Sequence, residues 1–395
     1  MSSITLEPGF WSFANAHRND DVSKLRLKFA PAAGDTIDLA LTHIQCLQKA
    51  GKKFITPDGF SVAPKLMLAP LSIEQASSGV IAAFHASLVP KGGTVLDMTC
   101  GLGVDSKAFA ELADCNVTAC ELNPLYADVA EYNFAENKNV TVIKGDSIEY
   151  LKSCNKHFDV IFIDPARRDA RGGRVYNIHD CTPDVSELLP LMLRHTDKVI
   201  AKLSPMLDIS QTIRDLSPTD IYSVQGENGE CKEVLALMMK NEDCTEAKIH
   251  IFYDNRNFDF TRSEENSATP TFGNPKIGQY LYEPYAATMK AAPFAILSSN
   301  FGLTKLHQNT HLYAGNSIIE NFPGKFYKII DIINFSSSEI KSVAKKYPRL
   351  NVATRNFILS PEEVAIKLKV KTGGNLKAYG VTVNDDSKKL IITSM

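Results

Sequence analysis

Residues 95–106 read Val95-Leu96-Asp97-Met98-Thr99-Cys100-Gly101-Leu102-Gly103-Val104-Asp105-Ser106. An apolar run ends in an aspartate, passes through a loop with two glycines and continues into a helical pattern. This order of strand, tight turn and helix is typical of domains that hold a nucleotide-like ligand at the carboxyl end of a parallel strand. The stretch therefore predicts an α/β domain with a ligand site at the turn.

The charge of the turn distinguishes between two classes of ligand. The third glycine of a dinucleotide-binding turn is replaced by Ser106, and Asp105 places a negative charge where a pyrophosphate would otherwise be stabilised by the helix N-terminus. S-adenosylmethionine has no phosphate and carries a cationic sulfonium and a cationic ammonium group. An acidic turn suits this cofactor, so we predict that it binds here. The residues of the turn that we expect to contact it are Asp97, Thr99, Gly101 and Gly103.

Composition and charge are those of an ordinary soluble globular protein. The 395 residues predict two or three domains, each with its own core. A formal net charge of -2 gives no global preference for nucleic acid, so any such surface must be local. No stretch resembles a signal peptide or approaches bilayer length, which predicts a cytoplasmic protein without membrane contact. The eight cysteines are scattered without C-x-x-C pairs, which predicts reduced thiols and no metal site.

The spacing of apolar residues divides the chain into four parts. We predict a mostly helical region at 1–90, a cofactor-binding domain at 91–240, a connecting α/β region at 241–325 and a small α+β domain at 326–395.

Several local elements are predicted within these parts. Helices are expected over 35–47 and 72–84, the second with Ser72 as its N-cap, and a small hairpin is expected at 54–60. Residues 263–274 are predicted to form a loop.

Strands and helical segments alternate in the second part, which indicates a parallel sheet with helices on its faces. A terminal pair of strands is joined by the short segment 226–229, which can form a hairpin. Class I methyltransferases close their sheet in this way, whereas dinucleotide folds usually close with a parallel strand. We therefore predict a Rossmann-like, seven-stranded methyltransferase sheet. Its strands are expected at 94–98, 117–120, 140–143, 160–163, 199–202, 221–225 and 233–239.

Acidic residues stand at the ends of two further predicted strands. Glu121 can accept both ribose hydroxyl hydrogens, and Asp146 can accept from the adenine amine, with the amide of Ser147 nearby. The alternative for each acid taken alone is a helix cap or a solvated loop carboxylate. Their common position around one glycine turn favours the cofactor, because open sheets bind ligands at that edge.

The motif Asp164-Pro165-Ala166-Arg167 follows the apolar strand at 160–163 and carries the catalytic prediction. It resembles the D/N-P-P-Y/F element of amino-methylating enzymes, in which side chain and backbone carbonyl accept hydrogen bonds from the target amine. Asp164 and Pro165 are therefore the predicted catalytic residues. Ala166 departs from that element, and no aromatic residue follows it. The motif also resembles the D-P-P-R element of RNA uracil-5 methyltransferases, but the next strand ends at 201–205 without their cysteine nucleophile.

Basic residues are concentrated in two places. Arg167 ends the motif, and Arg168 and Arg171 follow it. We expect these arginines to bind phosphate at the entrance to the substrate site, while Tyr176 stacks on a base. A solvated loop without a ligand is the alternative. Residues 338–377 hold nine lysines and arginines against three acids, a local excess that could track phosphates.

Four segments together resemble one bacterial family, the class I S-adenosylmethionine-dependent methyltransferases with a C-terminal THUMP-like domain. They are Leu96–Asp105, Ile163–Arg168, Tyr280–Pro284 and Thr354–Ser360. The resemblance implies a seven-stranded methyltransferase core and an RNA substrate, since THUMP domains bind RNA. Residues 75–78 also resemble the helix that closes over the methionine end of the cofactor in several methyltransferases, although a plain amphipathic helix is an equal alternative.

The leading hypothesis is an RNA base methyltransferase that acts on an exocyclic amine. A methyltransferase for a protein side chain or a small molecule stays open, because the near-neutral net charge permits it. A non-catalytic RNA-binding module that uses S-adenosylmethionine structurally is a third hypothesis.

Overall fold

The computed structural model describes residues 4, 6–29, 35–167, 177–241 and 245–394. The chain forms two compact units, one of residues 1–219 with 235–244 and one of residues 220–234 with 245–395. Within the described ranges, every helix is too short or too polar to cross a membrane. The predicted division into four parts stays a prediction.

The α-helices follow one another along the whole chain. They are α1 (Phe10–Ala16), α2 (Val22–Phe29), α3 (Asp35–Ala50), α4 (Pro70–Gln75), α5 (Gly79–Ser87), α6 (Val104–Glu111), α7 (Pro124–Phe134), α8 (Ser147–Ser153), α9 (Val185–His195), α10 (Ile209–Leu216), α11 (Arg262–Ser267), α12 (Ala286–Ala291), α13 (Phe294–Phe301), α14 (Val343–Lys346) and α15 (Pro361–Leu368). Short 3₁₀-helices lie at Ile178–Asp180 and Ile340–Ser342.

The strands begin after α5. They are β1 (Thr94–Asp97), β2 (Asn116–Glu121), β3 (Val140–Lys144), β4 (Val160–Ile163), β5 (Ala166–Arg167), β6 (Cys181–Thr182), β7 (Lys198–Leu203), β8 (Asp220–Gln225), β9 (Cys231–Met239), β10 (Lys248–Tyr253), β11 (Arg256–Phe260), β12 (Thr271–Phe272), β13 (Tyr280–Pro284), β14 (Thr304–His307), β15 (Thr310–Gly315), β16 (Gly324–Asn334), β17 (Asn351–Arg355), β18 (Leu376–Thr382) and β19 (Lys388–Ser394).

The first sheet contains the strand that ends in the glycine turn. β1 pairs in parallel with β2 and β4, while β3 and β7 extend the sheet in parallel on either side. Every residue of β4 is buried, as expected for a parallel strand covered on both faces. The full order is β11-β10-β8-β9-β7-β4-β1-β2-β3. The seven predicted strands occupy consecutive places from β8 to β3, which confirms the methyltransferase sheet, and β10 and β11 extend it beyond the prediction.

The N-terminal region is helical as predicted, with one error at 72–84. Helix α4 begins at Pro70, so Ser72 is not its N-cap; it ends at Gln75, and α5 begins at Gly79 after the cap residue Ser78. Ala76 and Ser78 are extended at the break, and residue 79 must be glycine because a Cβ there would lie 2.4 Å from the backbone carbon of Ile55. The predicted hairpin at 54–60 is present as a bridge between Ile55 and Ser61.

The second unit contains a sheet of its own with the order β12-β14-β15-β13-β16-β19-β18-β17. Strand β16 is central, since it pairs antiparallel with both β13 and β19. The expectation of a loop at 263–274 is wrong: α11 forms here because Thr261 and Glu264 make a capping box, and β12 pairs with β14. The 3₁₀-helix Ile340–Ser342 leads directly into the short α14.

Candidate active site

Asp97 ends β1 at the centre of the site. Its side chain is 1% exposed, and its carboxylate accepts hydrogen bonds from the Thr99 amide at 3.1 Å and the Ser106 hydroxyl at 2.5 Å. Burial raises the pKa of Asp97 to about 7, the two hydrogen bonds oppose this rise, and the charges of Asp105 and Asp164 add to it. A cation bound beside Asp97 would therefore stabilise its ionised form.

The two glycines after Asp97 shape the turn in different ways. Gly101 has a φ of 56° and its amide donates to Oε2 of Glu121 at 2.7 Å. Gly103 has a φ of 77° and is the N-cap residue of α6. A Cβ on Gly103 would lie 2.7 Å from the ring of Phe134. Both positions favour glycine by their backbone conformation, and Gly103 also by lack of space.

Asp105 lies in the first turn of α6 and contacts two side chains from the N-terminal region. Its Oδ1 is 2.8 Å from Nδ1 of His85, and its Oδ2 accepts a hydrogen bond from the Ser77 hydroxyl at 2.9 Å. Burial alone raises the pKa of Asp105, but His85, Lys202 and Ser77 together lower it to about 2. Asp105 is therefore ionised at neutral pH, so the turn is acidic.

The acids predicted for the ribose and the adenine lie at the carboxyl ends of β2 and β3. Glu121 accepts from the amides of Gly101 and Asn123, each at 2.7 Å. Asp146 is the N-cap of α8, because its Oδ1 accepts from the amide of Ile148 at 2.8 Å. Ser147 follows as the first residue of that helix. The structure thus places these acids on the edge that carries the turn, and their contacts with the cofactor stay predictions.

Asp164 directly follows β4 and is tied to the turn through its backbone. Its amide donates to Oγ1 of Thr99 at 2.7 Å, and its Oδ2 lies 2.5 Å from Nζ of Lys202. The Asp164 side chain is 40% exposed, whereas that of Lys202 is 9% exposed. The carboxylate of Asp164 is therefore accessible on one side and neutralised by a buried ammonium group on the other.

The segment after Pro165 forms a short pair of strands. Ala166 pairs with Thr182 and Arg167 with Cys181 in antiparallel register. Arg168, Arg171 and Tyr176, which we predict to bind substrate, lie outside the described residues, as does the side chain of Arg167. Their roles stay predictions.

Two residues of this cluster, Lys202 and His85, were not predicted as site residues. Lys202 lies near the end of β7 and His85 lies in α5, whereas Ser77 belongs to the segment 75–78 that resembles a cofactor-closing helix. A lysine inside the apolar run of β7 and a histidine inside the apolar helix α5 were the available signals, because buried charged or polar groups need a partner.

The arrangement fits a cationic cofactor next to a hydrogen-bonding group for an acceptor. Asp97 and Asp105 supply negative charge at a turn whose backbone adopts positive φ, while Asp164 adjoins the same turn. Bound S-adenosylmethionine would supply an electrophilic methyl group here. The protein's own part is to hold the acceptor in line with that methyl group.

Three families match parts of the chain. Residues 95–168 match the methyltransferase domain, residues 280–323 match a ferredoxin-like domain, and residues 324–395 match a THUMP domain-like family. The ferredoxin-like match was not predicted from the sequence.

Two curated relatives resemble a short part of the chain. A protein of Mycoplasma mobile, named an uncharacterized RNA methyltransferase, is 41% identical over 76 residues, which are 19% of this chain and 21% of that protein. The ribosomal RNA small subunit methyltransferase J of Coxiella burnetii is 35% identical over 80 residues, which are 18% of this chain and 31% of that protein. The chain thus spans less than a third of the length of either relative.

One solved structure resembles the whole chain. A protein from Porphyromonas gingivalis W83, whose crystal structure is described as that of a methyltransferase, is 31% identical with a TM-score of 0.85, and the match covers 99% of both chains. The domain matches and this full-length similarity agree with the sheet order and the acidic turn. The chain therefore belongs to the family of S-adenosylmethionine-dependent class I methyltransferases that carry a C-terminal THUMP-like domain.

Proposed function

We propose that the protein methylates a base in RNA, with an exocyclic amine as the acceptor. The observation that carries the proposal is the position of Asp164, whose amide is bonded to Thr99 of the cofactor turn while its carboxylate is accessible. The THUMP-like match supports an RNA substrate, and so do the names of the Mycoplasma and Coxiella relatives.

Asp164 and Pro165 would act by positioning. The Asp164 carboxylate and a backbone carbonyl of the motif would accept the two amine hydrogens, which turns the nitrogen lone pair toward the methyl group. Transfer forms the nitrogen–carbon bond, breaks the sulfur–carbon bond and releases one amine proton to solvent. Lys202 would hold Asp164 in the orientation that this contact requires, since its Nζ already contacts Oδ2 at 2.5 Å.

The proposal is tested with the full-length protein and tritium-labelled S-adenosylmethionine. The acceptor is total RNA from a strain that lacks the gene, followed by digestion with ribonuclease or protease and nucleoside mass spectrometry. We expect label in a ribonuclease-sensitive product carrying one amine-methylated nucleoside that is missing from the deletion strain. Label that is sensitive only to protease, or found only in small molecules, would contradict the proposal.

A pair of variants separates chemistry from folding. Asp164→Ala should lose methyl transfer while S-adenosylmethionine binding persists, because the residue serves the acceptor rather than the cofactor. Glu187→Ala, an exposed acid on α9, is the matched control and should keep full activity. Transfer by Asp164→Ala at the rate of the control would show that Asp164 is not catalytic.

A further inference from the structure

A second concave site lies within the unit of residues 220–234 and 245–395. None of the residues that line it belongs to the candidate active site. It encloses a cavity of about 360 Å³. The wall combines two aromatic rings, a lysine, a histidine and a glutamate, namely Phe272, Phe294, Lys305, His311 and Glu265. A volume of this size lies at the lower end of the range of about 300–1,000 Å³ that small-molecule sites occupy.

The secondary structure fixes these side chains relative to one another. Phe272 on β12 pairs in register with Lys305 on the parallel strand β14. His311 lies on the adjacent strand β15, and its ring stacks on Phe294 at the start of α13 with a centroid distance of 3.5 Å. Phe272 is 41% exposed, so one aromatic ring stays open to a planar ligand.

The cavity contains a fixed positive charge. Lys305 is 3% exposed, and its Nζ donates to the carbonyl oxygens of His307 and Gln308. Throughout the part of the chain that the structure describes, no carboxylate forms an ion pair with it. Burial lowers the pKa of Lys305 to about 8, so the ammonium group is still charged at neutral pH. Its hydrogen bonds go to two neutral carbonyls, while the charge of Glu265 acts on it without an ion-pair contact and opposes the fall in its pKa.

Neither of the two other titratable groups of the wall forms an ion pair with the lysine. Burial, aided by the charge of Lys305, lowers the pKa of His311 to about 4, so this imidazole is neutral. Its Nδ1 is buried and has no hydrogen-bond partner among the described residues. Glu265 is directed to the start of α13, where its carboxylate oxygens accept from the amides of Ala295 and Ile296 at 2.8–3.1 Å.

An anion with a planar aromatic group fits these features. Among the described residues no carboxylate contacts the Lys305 ammonium directly, so it can bind a negative group, and the exposed ring of Phe272 offers a stacking surface. We propose that this cavity binds one nucleotide, with its base against Phe272 and its phosphate at Lys305. We assign that nucleotide to the RNA substrate, an assignment that rests on the proposed function. It is a nucleotide other than the one whose base is methylated.

The test measures binding by the full-length protein of three probes: a short unstructured fluorescent RNA, a nucleoside monophosphate and inorganic phosphate. Phe272→Ala should weaken RNA binding about ten-fold, since stacking on one aromatic side chain is worth about 1–3 kcal/mol per base. Ile277→Ala removes a comparably exposed apolar side chain nearby and should bind as the unaltered protein does. Lys305→Gln should weaken binding and lower its dependence on salt. Circular dichroism checks that this buried substitution folds.

The probes also distinguish the source of the nucleotide. Phe272-dependent binding of RNA supports the assignment to the substrate, whereas Phe272-dependent binding of the free monophosphate alone makes the site one for a small nucleotide and overturns it. Inorganic phosphate that binds as tightly as the nucleotides, or Phe272→Ala that binds RNA normally, overturns the nucleotide site. Methyl transfer is measured in parallel. If the proposed function is wrong, methyl transfer to RNA is absent. If this nucleotide site is wrong, Phe272→Ala binds RNA as tightly as the unaltered protein does.

Discussion

Lys202 lies at the end of β7 and places a buried ammonium group 2.5 Å from Oδ2 of Asp164. We expect Lys202→Gln to lower kcat for methyl transfer by about 10²-fold, because a small displacement of a positioning group costs a factor of that order. The dissociation constant for S-adenosylmethionine should change far less. Lys198→Gln, at the opposite end of the same strand, is the matched control. A normal kcat in Lys202→Gln would mean that Lys202 does not position Asp164.

We expect Asp97 to make cofactor binding dependent on pH. Its pKa is raised by burial to about 7 from an ordinary value of 3.8, so the folded protein binds a proton between these pH values that the unfolded chain has released. The stability of the cofactor-free protein therefore falls as pH rises through this window. A cationic cofactor favours ionised Asp97, so binding below pH 7 should release a proton.

Calorimetric titration in two buffers of different ionisation enthalpy measures this proton release. Below neutral pH, affinity for S-adenosylmethionine should fall by up to about ten-fold per pH unit, and the binding heats should differ between the buffers. Asp97→Asn should give equal heats in both. Equal heats in the unaltered protein would show that Asp97 does not change its protonation on binding.

Gly101 and Gly103 allow a matched comparison within one turn. A Cβ on Gly101 would find only the Thr99 carbonyl oxygen at 4.0 Å, so Gly101→Ala should lose about 1–2 kcal/mol of unfolding free energy from its left-handed backbone alone. Gly103→Ala also drives a methyl group into Phe134 and should lose about 1–3 kcal/mol more. Urea unfolding followed by the fluorescence of Trp11, the single tryptophan, reports on this unit. Equal losses would contradict the steric argument.

Elements with strong local patterns could be predicted from the sequence. The apolar run of β4 and the helix α3 lie where the spacing indicates. The approach of the Ile55 backbone to Gly79, at the start of α5, joins residues 24 apart and could not be predicted from local spacing. The sequence prediction did not include helix α11, although Thr261 and Glu264 have the spacing of a capping box.

Part of the candidate site could likewise be predicted from the sequence. The pattern of apolar strands shows that Glu121 and Asp164 each end a strand, and this puts both acids at one edge of the sheet. The pairing of Asp164 with Lys202 joins residues 38 apart, and that of Asp105 with His85 joins residues 20 apart. Such contacts depend on the order of strands and on helix packing, so no local spacing predicts them.

The distribution of charge over the second unit differs from the near-neutral balance of the whole chain. Of the nine basic residues between 338 and 377, Lys346 pairs with Asp331, and both Arg355 and Lys377 pair with Glu283. The six others are exposed and form no ion pair with a described residue; they are Lys341, Lys345, Arg349, Lys367, Lys369 and Lys371. Only these six are available for phosphate.

Deletion of residues 324–395 is a poor test of this surface. Strand β16 pairs with β13 on one side and β19 on the other, so removing it would leave β13 paired only with β15 and turn it into an exposed edge of the sheet. Loss of RNA binding in such a deletion would report unfolding of the unit. Substitution of exposed side chains keeps the sheet intact and changes only the charge.

The triple variant Lys341→Gln, Lys345→Gln and Lys371→Gln should weaken RNA binding, because it removes three exposed charges that lack acidic partners. The slope of log K against log salt should fall by about 2, since each phosphate contact contributes about 0.7 for single strands. A control variant with glutamine at Lys24, Lys52 and Lys91 changes the net charge equally, at exposed positions of the other unit. We expect its salt slope to match that of the unaltered protein. Equal slopes in the two triple variants would mean that net charge, rather than this surface, governs RNA binding.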